Sequence, residues 1–317
     1  MRKILVTGAL GQIGSELTNK LRSLYGSDNV VASNRRIKEG HEELIQAGPF
    51  EIVNINDKKQ LGEAVEKHNV NTIINLAAIL SAVGEKDPLA CWDINMNGLY
   101  NVLELGREKA LQVFTPSSIA AFGPSTPPDK TPQDTIQRPT TMYGVTKVAG
   151  ELLCDYYFKR FGVDTRGVRF PGLISYATLP GGGTTDYAVH IYYEALKNKS
   201  YTSFIAKGTK MDMMYMPDAL DAIVNLMEAD SSKLKHRNAF NVTAMSFEPE
   251  ELAASIKKYI PQFKLDYGVD PVRQAIADSW PNSLDDSAAR KEWGWNPKYD
   301  LDAMTKDMIE KLKIKLK

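Results

Sequence analysis

The sequence predicts an α/β protein built on a doubly wound, mostly parallel sheet, with a smaller α/β lobe towards its C-terminal end. Apolar strands alternate with amphipathic helices from residue 3 to about residue 175, a pattern typical of parallel sheets covered on both faces. The first strand passes directly into a glycine-rich turn and a helix, as in a Rossmann fold. We therefore predict a dinucleotide-binding Rossmann domain at 1–175 and a substrate-binding lobe at 176–317, allowing for a return of the chain to the first domain within 210–245.

Composition is that of an ordinary globular protein. Apolar residues make up 43% and charged residues 25% of the 317 positions, and 39 basic residues balance 39 acidic ones. A balanced charge predicts no nucleic-acid partner, and no apolar run approaches the ~20 residues that a membrane span needs. Cys91 and Cys154 lie far apart in helical patterns, which predicts reduced thiols and a cytoplasmic location. The four histidines show no ligand spacing, so we predict no metal.

A phosphate-binding turn is predicted after the first strand, 3–6. Glycines at 8, 11 and 14 precede a helix over 12–25 that carries apolar residues at helical spacing. Glycines let the backbone approach a pyrophosphate, and the helix N-terminus offers free N–H groups to it. We assign the predicted cofactor contacts here to Gly8, Gly11, Gln12, Ile13 and Gly14.

The second strand, 29–33, ends where a dinucleotide site meets the adenosine ribose. The residue there is Asn34, which can bond a ribose hydroxyl but, unlike an acid, repels no 2′-phosphate. Arg35 and Arg36 follow, either as phosphate contacts or as solvated loop residues. This end of the site therefore predicts a bound dinucleotide and leaves the choice between NAD and NADP open.

The next strands are predicted at 50–55 and 71–78, with a helix at 57–68 between them and a loop at 79–88 after them. Their carboxyl ends supply further predicted cofactor contacts, namely Asn54, Ile55, Leu76, Ala77 and Ala78. A helix over 89–110 contains Asn95, and polar residues inside a helix cost stability. Asn95 is therefore either a cofactor contact or a side chain bonded to a neighbouring loop.

The predicted catalytic groups follow the fifth strand, 111–115. Ser118 lies just beyond the strand end, and a helix over 143–160 opens with Tyr143 and Lys147. A spacing of four residues places the last two on one helix face, one turn apart. We expect the Lys147 cation to lower the pKa of the Tyr143 phenol towards neutrality, as a general base for an alcohol requires. Taken alone, such a pair also occurs by chance.

The chain then changes pattern. A sixth strand over 163–170 is followed by Ile174, which we also assign to the cofactor. A glycine-rich loop at 181–186 carries Thr184, Thr185 and Asp186, which are either helix-capping residues or part of a lid over a small substrate.

Together these motifs resemble the extended short-chain dehydrogenase/reductase family. The stretches 79–88, 170–176, 183–188, 213–219 and 279–285 resemble, more narrowly, its short-chain-type L-threonine 3-dehydrogenases, relatives of the sugar-nucleotide 4-epimerases. The narrower resemblance implies oxidation of the L-threonine 3-hydroxyl by NAD to 2-amino-3-oxobutyrate, and a homodimer formed through the helices that carry Asn95 and Tyr143. The clear departure is Asn34, where that group usually has Asp.

The resemblance also implies roles for single residues. Ser118 would bind the substrate hydroxyl, Tyr143 would take its proton, and Lys147 would stabilise the phenolate and bind the nicotinamide ribose. The implied threonine pocket consists of Ser81, Ser118, Tyr143, Thr184, Thr185, Asp186 and Trp280. Asp186 and Arg169 face the substrate ammonium and carboxylate in one interpretation, and form structural ion pairs in the other.

Two alternatives share parts of this pattern. A sugar-nucleotide 4-epimerase or dehydratase has the same catalytic core but needs a wide cleft for a nucleotide diphosphate. A non-catalytic dinucleotide sensor has the same fold but usually lacks the Tyr or the Lys, and this chain has both.

Overall fold

The computed structural model describes residues 2–179 and 181–316. Its strands are β1 (Ile4–Thr7), β2 (Val30–Asn34), β3 (Phe50–Ile52), β4 (Thr72–Asn75), β5 (Gln112–Phe114), β6 (Ser117–Ser118), β7 (Thr165–Arg166), β8 (Val168–Phe170), β9 (Gly172–Ile174), β10 (Ser200–Ser203), β11 (Met211–Tyr215), β12 (Phe240–Asn241), β13 (Met245–Phe247) and β14 (Lys264–Tyr267). Its α-helices are α1 (Gln12–Tyr25), α2 (Glu42–Gln46), α3 (Lys58–Lys67), α4 (Ser81–Gly84), α5 (Pro88–Trp92), α6 (Gly98–Lys109), α7 (Met142–Phe161), α8 (Tyr187–Lys197), α9 (Met216–Glu228), α10 (Pro249–Lys257), α11 (Pro271–Asp278), α12 (Ser287–Trp293) and α13 (Leu301–Lys315).

Six strands form the central sheet in the order β3-β2-β1-β4-β5-β7, and every neighbouring pair is parallel. The doubly wound parallel sheet predicted from the alternation of strands and helices is confirmed. At its carboxyl edge Thr7 is paired with Ser33 on one side and Asn75 on the other. Since all six strands point the same way, the turns that follow them gather along this single edge.

Consecutive strand residues bury their side chains on opposite faces of the sheet, as a pleated backbone requires. Val6 contributes to a core shared with α1 and α9, whereas its neighbour Leu5 contributes to a core shared with α3, α6 and α7. Both side chains are fully buried. Burial on both faces explains why these strands are continuously apolar rather than alternating.

A further apolar core lies among the later elements. Tyr187, Met213, Phe247 and Met308 belong to it, and the small sheets β13-β11-β9 and β10-β14 flank it. Helix α9, in contrast, packs on α1 in the core beneath the central sheet, and β12 pairs with β8. The division into two domains at residue 175 stays a prediction.

Two predicted elements need correction. The loop predicted at 79–88 contains the short helix α4. The helix predicted over 89–110 is interrupted by a π-helical turn, Asp93–Asn97, between α5 and α6. π-Turns are rare and concentrate at functional sites, and this one carries Asn95. None of the helices in the described part of the chain has the length and hydropathy that a membrane crossing requires.

Candidate active site

The turn between β1 and α1 depends on glycine at two positions. Gly8 has a φ of +68°, and a Cβ there would lie 2.9 Å from the backbone of Leu76 and Ala77. A Cβ on Gly14 would lie 2.2 Å from the Gly8 carbonyl oxygen. A side chain at Gly8 would therefore push the turn away from the end of β4, and one at Gly14 would push helix α1 away from the turn.

The residues of this turn fit a pyrophosphate. Gly11, the residue before α1, provides no side-chain cap for the helix, so the first N–H groups keep their donor capacity. The Gln12 side-chain Nε2 is buried and has no hydrogen-bond partner within residues 2–179 and 181–316. Buried donors without partners are costly, and a phosphate is an acceptor for several of them.

The end of β2 presents an amide and two arginines. The Asn34 side chain donates from Nδ2 to the Arg36 carbonyl oxygen at 2.8 Å, while Arg35 and Arg36 themselves are exposed. Lys38 reaches back to the glycine turn and donates to the Leu10 carbonyl oxygen at 3.2 Å. Asn34, Arg35 and Arg36 therefore place two cations and a neutral amide at the edge where an adenosine ribose would lie.

The other predicted cofactor residues divide into two groups. Leu76, Ala77, Ala78 and Asn95 line one cleft together with Lys147. Asn54 and Ile55 lie just after β3. Ile55 packs closely on Gly98, since a Cβ added to Gly98 would lie 2.8 Å from Ile55 Cγ2. Ile174 is fully buried in the C-terminal core.

The predicted catalytic groups come together at the carboxyl edge. Thr141 caps α7 by accepting the Gly144 N–H at 3.1 Å. On the next turn the Lys147 ammonium donates to the Pro116 carbonyl oxygen at 2.7 Å, and its Nζ lies 5.3 Å from the centroid of the Tyr143 ring. The Ser118 hydroxyl is a hydrogen-bond partner of the Tyr143 phenol.

The electrostatics of this pair differ from the prediction. Burial raises the pKa of Tyr143 to about 12, although the hydrogen bond to Ser118 lowers it. Burial also lowers the pKa of Lys147 to about 8, against the nearby carboxylate of Glu151, which raises it. Both groups are removed from water, and this loss of solvation outweighs the attraction that a four-residue spacing predicts.

Asn95 holds the cleft together through backbone contacts. Its Oδ1 accepts the Ile79 N–H at 2.8 Å, and its Nδ2 donates to the Ile79 carbonyl at 3.1 Å. The same Nδ2 lies 3.1 Å from the Thr146 hydroxyl, which in turn donates to the Tyr143 carbonyl at 2.8 Å. These contacts fit the interpretation in which the Asn95 side chain is bonded to a neighbouring loop. Sequence reasoning missed Thr146, although it lies next to Lys147.

Trp280 lies beside Tyr143, and Ser81 begins α4, which contacts α7. Trp280 packs on an apolar cluster whose buried members are Cys91, Ala120 and Tyr143. Ser81 is the first residue of α4 and is 4% exposed. The chain around Trp280 and helix α4 are far apart in sequence, and both lie against the part of the chain that carries Tyr143.

The 181–186 loop has its own internal bonds. Asp186 Oδ2 accepts the N–H groups of Gly182 and Gly183 at 2.9 and 2.6 Å, and burial raises the pKa of this carboxyl group. Thr185 packs against Gly172. The Thr184 hydroxyl is fully buried and has no hydrogen-bond partner among the described residues.

Arg169 is an ion-pair residue in this structure. Its Nε and Nη2 each donate to a Glu151 carboxylate oxygen at 2.9 Å, and its Nη1 donates to Gln133 and Asn241. These bonds leave it no free face for a substrate carboxylate. Sequence reasoning missed Glu151, which the same four-residue spacing beyond Lys147 places on the catalytic face of α7. No His, Cys, Asp or Glu cluster suited to a metal occurs within the residues that the structure covers.

Comparison with known proteins gives one consistent family. The model of the NAD dependent epimerase/dehydratase family matches residues 4–243. An uncharacterized epimerase/dehydratase from Staphylococcus saprophyticus is 62% identical over 317 residues, which is 100% of this chain and 99% of that one. These matches agree with the resemblance drawn from the motifs.

Two solved structures are also similar over nearly their whole length. An L-threonine dehydrogenase from Clostridium difficile is 68% identical with a TM-score of 0.98, over 99% of this chain and 98% of that one. A monomeric L-threonine 3-dehydrogenase from a metagenome is 44% identical with a TM-score of 0.95, over 99% and 100%.

Gly14→Ala should weaken NADH binding on the order of tenfold or more, because overpacking at a rigid contact costs about 1–3 kcal/mol. The fluorescence of bound NADH measures the affinity, and circular dichroism verifies the fold. Gly62→Ala is the matched control, since a Cβ there meets only Leu105 Cδ2 at 3.6 Å. Equal NADH affinity of Gly14→Ala and Gly62→Ala would contradict the assignment of this turn.

Proposed function

Because the chain belongs to the NAD dependent epimerase/dehydratase family, we propose that it oxidises the 3-hydroxyl of L-threonine to 2-amino-3-oxobutyrate with NAD as hydride acceptor. The observation that carries the proposal is the grouping of Ser118, Tyr143 and Lys147 beside the glycine turn, in a chain 68% identical to an L-threonine dehydrogenase. A non-catalytic sensor has no need for this grouping, and it is the weakest alternative.

The proposed chemistry is a proton transfer coupled to departure of a hydride. The dinucleotide, when bound, supplies the hydride acceptor. Ser118 binds the substrate hydroxyl and holds its carbon in place, and Tyr143 takes the hydroxyl proton as general base. Lys147 stabilises the phenolate and binds the nicotinamide ribose. Alignment of the reacting groups alone is worth roughly 7–11 kcal/mol of such a barrier.

The substrate pocket we propose has the size of an amino acid. Trp280 packs on the cluster around Tyr143, and α4, which begins at Ser81, contacts α7. The Thr184 hydroxyl is buried without a partner among the described residues, which suits a polar substrate group. Thr185 and Asp186 complete the pocket. Because Asp186 Oδ2 already bonds the loop backbone, an ammonium contact would fall to its other oxygen. The 181–186 loop is the proposed lid.

The sugar-nucleotide 4-epimerase or dehydratase reaction remains the second candidate, since the family name includes both activities. Such substrates need room for a diphosphate and a base beyond the sugar. The packing of Trp280 on the cluster around Tyr143 favours the smaller substrate.

We also propose a homodimer. Apolar side chains on the outer faces of α5, α6 and α7 are exposed, among them Leu89 at 84%, Tyr100 at 50%, Leu152 at 64% and Tyr156 at 52%. These helices are neighbours, and exposed apolar side chains grouped on neighbouring elements are typical of interaction sites. A monomeric L-threonine 3-dehydrogenase exists among the similar structures. Sedimentation equilibrium therefore tests the homodimer, and the mass of a monomer at micromolar concentration would refute it.

The cytoplasmic location stays a prediction.

Purified protein should reduce NAD with L-threonine and leave UDP-sugars unchanged, as followed by NADH absorbance and by sugar analysis. Tyr143→Phe should lower kcat by about 10²–10⁴-fold, the usual contribution of a general base, with nearly unchanged NADH affinity. Activity with a UDP-sugar alone would replace the proposed substrate, and a Tyr143→Phe enzyme that kept most of its kcat would remove the phenol from the mechanism.

NADP should also be turned over, because Asn34 lacks the charge that repels a 2′-phosphate and two arginines follow it. Asn34→Asp should lower kcat/KM for NADP about tenfold relative to NAD, since one like-charge contact is worth about 1 kcal/mol or more near a surface. Kinetics at saturating cofactor test this prediction. No NADP turnover by the unaltered protein would refute it.

A further inference from the structure

The proposed threonine pocket is assembled from segments that are distant in the chain. Trp280 follows helix α11, whereas Thr185 lies in the glycine-rich loop before α8. A misplacement of about 1 Å in a site of this kind can cost on the order of 10²-fold in rate. A support that holds both segments in place is therefore a requirement of the proposed function, on which this inference rests.

Trp280 is held from behind by a second apolar cluster. Besides the cluster that contains Tyr143, its ring packs on a cluster formed by Ile119, Phe122 and Leu284. Leu284 is 4% exposed and lies only four residues beyond Trp280. A shift of the backbone at Leu284 would therefore displace the indole ring relative to the phenol.

The backbone at Leu284 is held from two sides. On one side it forms a parallel bridge with Thr131, in which the Thr131 N–H donates to the Ser283 carbonyl at 2.9 Å and the Asp285 N–H donates to the Thr131 carbonyl at 3.0 Å. In such a bridge the N–H of the central residue points away from the partner. The Leu284 N–H accordingly donates to Asp212 Oδ2 on the other side, at 2.7 Å.

Asp212 lies in β11 and is 1% exposed. Its second oxygen, Oδ1, accepts the Thr243 hydroxyl at 2.6 Å. Burial raises the pKa of Asp212 to about 8, and the nearby Asp286 carboxylate acts in the same direction, against the bonds from Thr243 and Leu284. The side chain is therefore mostly neutral at pH 7, and an amide of the same shape is a close substitute for it.

The same strand also supports the loop that carries Thr185. Met213, the next residue in β11, is paired with Gly172 in β9. A Cβ added to Gly172 would lie 2.6 Å from Thr185 Cγ2 and would also meet the Met213 side chain. Asp212 and Met213 thus connect the two pocket segments through consecutive residues of one strand.

We propose that Asp212 is a positioning residue for the substrate, because its bond to the Leu284 N–H keeps Trp280 against the cluster around Tyr143. Trp280 is the largest apolar side chain of the proposed pocket, and the methyl group is the only apolar part of threonine. The fixed indole ring therefore favours L-threonine over L-serine, which lacks that methyl group. Since Asp212 acts through Leu284 and Trp280, its loss changes the fit of the substrate and leaves the glycine turn of the cofactor site as it is.

Asp212→Ala and Asp212→Asn test this role. Alanine leaves the buried Leu284 N–H without its partner, so we expect KM for L-threonine to rise on the order of tenfold and the preference for L-threonine over L-serine to fall severalfold. NADH affinity should be kept. Asparagine can accept the Leu284 N–H and donate to the Thr243 hydroxyl, so it should restore KM to within about twofold of the unaltered protein.

Asp218→Ala is the matched control. Asp218 is also 1% exposed, and its carboxylate accepts the N–H groups of Lys298 and Tyr299 at 2.9 and 3.0 Å. These bonds hold the segment before α13 instead of the segment that carries Trp280. Its replacement should lower stability in urea, as followed by circular dichroism, while KM for L-threonine and the preference over L-serine stay unchanged.

Thr243→Val is a milder variant that removes only the bond to Asp212 Oδ1, and it should raise KM for L-threonine about two- to threefold. It decides the question where Asp212→Ala does not fold, and an unchanged KM would then overturn the positioning role. The role is equally overturned if folded Asp212→Ala keeps KM and selectivity, or if Asp212→Asn is as impaired as Asp212→Ala. Threonine oxidation stands in each of these cases, whereas no oxidation of L-threonine by the unaltered protein would overturn the proposed function and the positioning role with it.

Discussion

The buried ion pair between Glu151 and Arg169 is the constraint on which the catalytic site depends. Both side chains are at most 9% exposed, so their desolvation has to be offset by good geometry. Two parallel bonds of 2.9 Å provide it, and the same carboxylate accepts Ser117 at the strand end and Gln137 in the proline-rich loop. One acid on α7 thus fixes the helix, the strand before Ser118 and the loop above them in a single arrangement.

That arrangement has an electrostatic consequence. Holding α7 tightly against the sheet removes both Tyr143 and Lys147 from water, and each then favours its neutral form. The hydrogen bond from Ser118 acts against this tendency at the phenol, and the charge of Glu151 acts against it at the ammonium. The site therefore gains precise positions at the expense of readily ionised groups.

Much of this could be predicted from the sequence because the signals are local. Periodicity located the strands and helices, and the glycine spacing located a turn that sterics at Gly8 and Gly14 then explain. The four-residue spacing placed Tyr143 and Lys147 on one face, yet it could not indicate their burial, which reverses the expected pKa shift. The π-turn at Asn95, the closure of Trp280 over Tyr143 and the pairing of Arg169 arise from tertiary contacts between distant segments, and no local pattern encodes them.

Cofactor choice and catalysis are physically separate in this fold. The turn after β2 is shaped by the Asn34 amide bonded to the Arg36 carbonyl and by Lys38 bonded to Leu10, whereas the chemistry lies on α7 at the far side of the glycine turn. The Asn34 amide can donate the hydrogen bond to the Arg36 carbonyl, whereas an ionised carboxylate at the same position can only accept hydrogen bonds. The charge at residue 34 can therefore change which dinucleotide is preferred while Ser118, Tyr143 and Lys147 keep their geometry, because the bonds described above that hold the catalytic face lie outside β2.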